Sequence, residues 1–281
     1  MKLVNWNVQG ISSRKKQYVL WQTLLSNKWD VLCAVEHKQH RQVSGGFIYK
    51  GFHVFFSGHP STQSGVMMIV NGHFQPSVVF RDLHGHFLVV KITFEGKLFW
   101  LVGVYAPHSV RARCSLWQDL QRCLQLGKPG FLMGDFNTCF SADQSTSSHV
   151  IMDSPERRVW DSFASLVLKQ DNWSWLHQRD SGFTFHSRQF LGPWSRLYVM
   201  HEDSFLPDIL QVTMEMQHVL SDHFPLVLDL LHQPVHVHKS LLERLPSRFN
   251  HSFLDHEVFD GYMLQLIDNF QMCFLQQGMS A

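Results

Sequence analysis

Phe131-Leu132-Met133-Gly134-Asp135-Phe136-Asn137 passes from unbroken apolar residues to an acid and an amide within a few positions. A short apolar run closed by Gly and then by polar side chains reads as a strand with polar groups just past its end. Three other segments are built the same way. Leu3-Val4-Asn5-Trp6-Asn7-Val8 carries the amide of Asn7, and Val31-Leu32-Cys33-Ala34-Val35-Glu36 ends on a carboxylate. Val219-Leu220-Ser221-Asp222-His223-Phe224-Pro225 places an acid and an imidazole before another apolar strand. Alone, each has an ordinary reading: a turn, a satisfied core amide or a solvated strand end. Together they put four sets of polar groups at strand ends, where an α/β scaffold gathers catalytic side chains.

Similar apolar runs lie between and around these four. They include His53–Phe56, Val66–Val70, Phe87–Phe94, Leu98–Tyr105, Ser195–Met200 and Phe224–Leu230, most of them bounded by Gly, Pro, Ser or Asn. The short Glu95-Gly96-Lys97 link between two of them predicts a β-hairpin. Helical spacing marks Tyr18, Leu20, Trp21, Leu24 and Leu25, then Leu116, Trp117, Leu120 and Leu124, then Val159, Trp160, Phe163, Leu166 and Val167. Many short strands with a few covering helices predict an α/β (α+β) fold of two packed β-sheets with helices outside. Trp21, Trp117 and Trp160 are expected in the core, while Trp173, Trp175 and Trp194 are candidates for nucleic-acid contact.

Composition narrows the functional classes. The 281 residues are 44% hydrophobic and 17% charged, with a net charge of +1, which excludes a disordered tail and is a poor match to a non-specific DNA coater. A nuclease that meets DNA through one local groove stays allowed. Five scattered cysteines without a C-x-x-C pair argue against a disulfide framework and a structural zinc site. The pairs His84/His86 and His236/His238 sit in expected loops without a third ligand. No apolar run reaches membrane-spanning length, and the strand-like start Met1-Lys2-Leu3-Val4 leads us to expect no signal peptide and a reducing compartment.

The four strand ends suit phosphodiester hydrolysis. That reaction needs a hard cation such as Mg²⁺ held by carboxylate and amide oxygens, a group to activate water, and donors for the charge that develops on phosphoryl oxygens. Glu36 and Asn7 fit the metal side, Asp135 fits water activation and Asn137 fits phosphate positioning. His223 fits donation to the scissile phosphate, with Asp222 beside it. Arg14, Lys15 and Lys16 are expected in a loop near Asn7, where Arg14 is a candidate phosphate contact.

Trp6-Asn7, Glu36, Val104-Tyr105-Ala106-Pro107, Gly134-Asp135-Phe136-Asn137, Ser195-Arg196-Leu197 and Ser221-Asp222-His223 occur in the order of one group. The chain resembles the apurinic-type endonuclease domain of the endonuclease/exonuclease/phosphatase superfamily encoded by plant-like non-LTR (LINE-type) retrotransposons. The resemblance implies a four-layer sandwich like that of deoxyribonuclease I, a Mg²⁺ cofactor (Mn²⁺ as substitute), DNA as substrate and a nuclear location, with no membrane or stable protein partner. It further implies Asn7, Glu36 and Asp222 on the metal side and Tyr105 as a phosphate contact. Asp135, Asn137, Asp222 and His223 are then catalytic, and Thr184 lies on the substrate side.

One position departs from that pattern. After Ser195-Arg196-Leu197 the family carries an aspartate that orients the histidine, and here Tyr198 stands instead. A neutral phenol cannot give a carboxylate's electrostatic support. Tyr198 therefore favours one alternative to an active endonuclease, a catalytically decayed remnant with at most weak nucleic-acid binding; a phosphatase of the same superfamily is a second, against which the Tyr105-Ala106-Pro107 context argues. The expected organisation is an endonuclease/exonuclease/phosphatase domain over 1–233 and a helical connector over 234–281, truncated before a reverse transcriptase.

Overall fold

The computed structural model describes residues 1–38, 46–58, 65–124, 129–139, 153–167, 170–171, 185–187, 192–195, 198–201, 209–215 and 220–230. The chain divides into units Met1–Gln233 and Pro234–Ala281, and the described residues all belong to the first. Its elements begin with β1 (Lys2–Asn7), α1 (Arg14–Ser26), β2 (Val31–Val35), β3 (Phe47–Tyr49), β4 (Phe52–Ser57) and β5 (Val66–Asn71). Then come β6 (Ser77–Arg81), β7 (Phe87–Phe94), β8 (Lys97–Tyr105), α2 (Val110–Leu124), β9 (Pro129–Asp135) and α3 (Ser154–Val167). The last strands are β10 (Gln170–Asp171), β11 (Phe185–Ser187), β12 (Gly192–Ser195), β13 (Tyr198–His201), β14 (Ile209–Met214) and β15 (Leu226–Leu230).

The strands form a seven-stranded sheet, β14-β15-β1-β2-β5-β4-β3, a six-stranded sheet, β10-β13-β9-β8-β7-β6, and a separate β11–β12 ribbon. Strand parity sorts their side chains into layers. From β1, Leu3 points between the sheets, where it joins Cys33, Met68, Val90, Leu101 and Met133 in one buried cluster. Val4 and Trp6 point the other way, beneath Leu20 and Leu24 of α1. On the outer face of the second sheet, Val89, Val102 and Leu132 meet Trp117 of α2 and Trp160 and Phe163 of α3. The result is helix, sheet, sheet, helix, the expected two-sheet sandwich.

Two pairs of neighbouring strands are parallel, β1–β2 and β8–β9. A parallel pair needs a crossover, supplied by α1 and α2 respectively. Both pairs lie inside their sheets, and their strands are covered on both faces, which explains the continuous apolar runs. In the register, Asn7 aligns with Val35 and Tyr105 aligns with Asp135. Both parallel pairs therefore end on a predicted site residue.

Candidate active site

Asn7, Glu36, Tyr105 and Asp135 sit at the carboxyl ends of the parallel strands, the place where α/β sheets open a crevice for ligands. A single amide brings the two sheets together there. Asn7 Nδ2 donates to Asp135 Oδ2 at 2.9 Å and to Glu36 Oε2 at 3.1 Å. Its oxygen, Oδ1, accepts the backbone N–H of Gln9 at 3.1 Å. Carboxylates only accept and a backbone N–H only donates, so all three partners require the same amide orientation. Asn7 thus turns its donor end to the carboxylates and holds Glu36 and Asp135 side by side.

Asn5, on the same face of β1, makes the second bridge between sheets: its Nδ2 donates to Gly134 O at 2.9 Å. Gly134 itself answers to close packing, because a Cβ there would lie 2.0 Å from the carbonyl oxygen of Val104. Any side chain would push β9 off β8 and move Asp135 with it. Beyond Gly134 the chain is pinned by its own side chains. Asn137 N donates to Asp135 Oδ1 at 3.1 Å, and Asn137 Nδ2 donates to Ala106 O at 2.6 Å. Ala106 N donates back to Asp135 O at 2.9 Å, closing the Tyr105 and Asp135 strand ends on each other.

Tyr105 is half-buried and hydrogen-bonded to Glu36 and Asn137. Burial, and then the negative charges of Glu36 and Asp135, push its pKa well above the ordinary phenol value. It is therefore a proton-bearing donor at neutral pH. Burial of His37, next to Glu36, lowers its pKa to about 4; this ring is a neutral structural group facing Ser57 O at 3.3 Å.

The acid–histidine segment arrives from the other side of β1. Trp6 Nε1 donates to His223 O at 2.8 Å, fixing the main chain of the buried His223 under the β1 strand end. Asp222 Oδ2 accepts from Gln9 Nε2 at 2.7 Å. Gln9 is therefore the link between Asn7 and Asp222. Four residues around the site have left-handed backbones, Gln9 (φ 48), Glu36 (φ 58), Lys38 (φ 52) and Asn137 (φ 48). Such conformations are uncommon for these side chains, and strain of this kind concentrates where function fixes a geometry.

The structure thus gathers Asn7, Glu36, Tyr105, Asp135 and Asn137 directly, and ties Asp222 and the main chain of His223 to the same strand end. Arg14, Lys15 and Lys16 form the first turn of α1, capped by Ser13, rather than a loop. Arg14 is exposed there, and Lys16 is the cation that reaches inward, donating to Gln9 O and Gly10 O. Thr184, Trp173, Trp175, Arg196, Leu197 and the His236/His238 pair lie outside the described residues. Tyr198 opens β13 opposite Gly134, so its backbone stands one residue from Asp135 in the register. Asn5, Gln9 and Lys38 were not singled out in the sequence. The parity of Asn5 with Asn7 was the available signal for the first; nothing in the local sequence marks the other two.

Glu36, Asp135 and Asp222 offer hard oxygen donors without a thiolate, a set that suits Mg²⁺ or Mn²⁺ and not a soft metal. Among the described residues no three His, Cys, Asp or Glu side chains gather as a metal cage. A Mg²⁺ site held by one or two carboxylates and completed by water does not require one. Among the same residues no helix is long and apolar enough to cross a membrane.

Solved structures share this architecture. An AP endonuclease from Archaeoglobus fulgidus superposes with a TM-score of 0.68 at 20% identity, covering 82% of this chain and 99% of that one. An AP endonuclease from Leishmania major gives 0.69 at 15% identity, covering 83% of this chain and 88% of that one. At these identities the likeness is one of fold. The sequence pattern of the endonuclease/exonuclease/phosphatase family matches residues 4–256, nine-tenths of the chain, and the chain belongs to that family.

Proposed function

We propose that this domain is a divalent-metal-dependent DNA endonuclease of the kind that nicks target DNA for non-LTR retrotransposition, acting in the nucleus. The observation that carries the reading is the Asn7 amide. It holds one carboxylate from each sheet, Glu36 and Asp135, at one crevice. In that reading Glu36, with Asp222 beyond Gln9, is the metal side, and the bound cation would supply charge neutralisation on the phosphate.

The chain's own groups do the rest. Asp135 is oriented by Asn7 and Asn137 so that it can accept the proton of an attacking water. Tyr105 and Asn137 present donors beside it, where charge develops on the phosphoryl oxygens. His223 is delivered by the segment anchored on Trp6 and serves as a further donor. The order of motifs along the chain supports DNA as substrate and a retrotransposon origin, over a phosphatase of the same family.

A second reading has its own observation. Tyr198 stands where an orienting aspartate is expected, with its backbone opposite Gly134, and this favours a decayed enzyme. Nicking of supercoiled plasmid in Mg²⁺, with EDTA and Asp135→Ala as controls, separates the two. Metal-dependent nicking lost in Asp135→Ala is the expected result. No nicking at high protein concentration would leave the decayed reading standing.

A further inference from the structure

We propose that Lys38 is a built-in cation of the metal side. Its ammonium holds the Glu36 carboxylate and yields it when a divalent cation is supplied, so Lys38 sets how tightly that cation is bound. The inference rests on Glu36 being the metal-side carboxylate.

Three donors converge on Glu36. Lys38 Nζ lies 2.6 Å from Oε1, Asn7 Nδ2 is on Oε2 at 3.1 Å, and the Tyr105 hydroxyl bonds the same group. A carboxylate has about four lone-pair positions, so a cation sharing both its oxygens with three donors meets a crowded ligand. The donors differ in what it takes to move them. Asn7 is buried and locked by Gln9 and Asp135. Tyr105 is the last residue of β8, and moving it means moving the strand. Lys38 is the donor on a flexible stem, with its side chain 35% exposed. It is also the charged one, and it repels any second cation on the same carboxylate.

The placement of Lys38 is built into the backbone. Left-handed Glu36 and Lys38 turn the chain as it leaves β2, bringing the ammonium back to the carboxylate two residues earlier. Gly10 leaves room for the stem, since a Cβ there would lie 3.1 Å from Lys38 Cδ. Gly10 N also donates to Glu36 O at 2.8 Å, so the loop carrying this gap is fixed to the same residue.

The test is Mn²⁺ binding to the intact chain, measured by titration calorimetry and by the free-ion paramagnetic resonance signal, without DNA. Wild type should bind Mn²⁺ at a site lost in Glu36→Gln. Lys38→Met keeps the stem over Gly10 and removes the charge, and should tighten Kd by about tenfold. Lys38→Gln, which keeps a donor without the charge, should move the same way, whereas Lys38→Arg, which keeps the charge, should stay nearer wild type. Thermal unfolding in EDTA checks that each variant folds, and the Met and Gln variants serve as replicates of each other. Unchanged or weaker Mn²⁺ binding in the uncharged variants, beside normal binding in wild type, overturns the exchange and leaves the metal reading intact. No binding beyond that of Glu36→Gln in wild type and uncharged variants alike removes both.

Discussion

Asn7→Asp replaces, at nearly constant shape, the donor that separates Glu36 from Asp135. The contacts at 2.9 and 3.1 Å would become carboxylate against carboxylate. At an effective dielectric constant of about 20, each such pair costs about 5 kcal/mol. The folded variant escapes most of this by keeping a proton on the cluster. Holding a proton at pH 7 on a group whose unfolded pKa is about 4 costs about 4 kcal/mol, less than the two repulsions together. Asn7→Asp should therefore lose about 4 kcal/mol of stability at pH 7. The sign of its pH dependence follows. The folded variant binds a proton that the unfolded chain releases, so stability rises as pH falls. Between pH 7 and pH 5 the deficit should shrink by about 3 kcal/mol. Urea unfolding of variant and wild type at pH 5, 6 and 7 reads the difference directly, and titrations common to both proteins cancel. A deficit that stays constant with pH would refute the claim that one amide holds the two carboxylates together.

Other consequences are as specific. His37 is held neutral with a pKa near 4, below its unfolded value, so the folded state refuses a proton the unfolded chain accepts. The stability it contributes is complete above pH about 6.5 and falls by up to about 3 kcal/mol toward pH 4; His37→Gln should flatten that slope in unfolding measured at pH 4.5 and 7. Arg113 and Glu156 form a buried two-point ion pair between α2 and α3, at 2.7 and 2.8 Å. Arg113→Met alone should cost about 3–5 kcal/mol in chemical unfolding, and adding Glu156→Leu should recover most of it. A double variant no more stable than the single one would show that the pair is worth more than its desolvation. Tyr198→Asp should raise Mg²⁺-dependent nicking by tenfold or more, given losses of about 10⁴ when an orienting carboxylate is removed from a serine-protease triad. An unchanged rate in a folded variant would mean position 198 does not act on His223.

Much of this architecture is legible from residue order alone. Val31–Val35 reads as a strand because it is an apolar run ending on a carboxylate, and Phe87–Phe94 with Leu98–Tyr105 reads as a hairpin because a short Gly-containing link joins them; in the structure Glu95 and Gly96 both have positive φ. Strands β3, β6 and β14 escape that reading. All three are sheet edges, where one side needs no partner and a continuous apolar signal is not required. At the site, the residues at strand ends were readable because parity and termination are local properties. Gln9 and Lys38 were not, because their contacts depend on left-handed turns that neither residue type favours. Arg14 reads as a loop residue for a related reason: basic residues oppose the dipole at a helix N-terminus, so this cluster argues locally against the helix that Ser13 caps.

The parity of β1 has one more consequence. Leu3, Asn5 and Asn7 face the second sheet, whereas Val4 and Trp6 face α1. With Leu3 and Val4 held in register, inserting a single codon before Asn5 would invert this order for the residues that follow. The indole that anchors the His223 main chain would be driven between the sheets, and the two bridging amides would be stranded under the helix. Point substitutions in β1 damage the contacts of one side chain at a time, but length changes there dismantle the sandwich and the crevice together. A library scanned for insertions and deletions should show β1 as a gap in tolerance far sharper than any seen in its substitution profile.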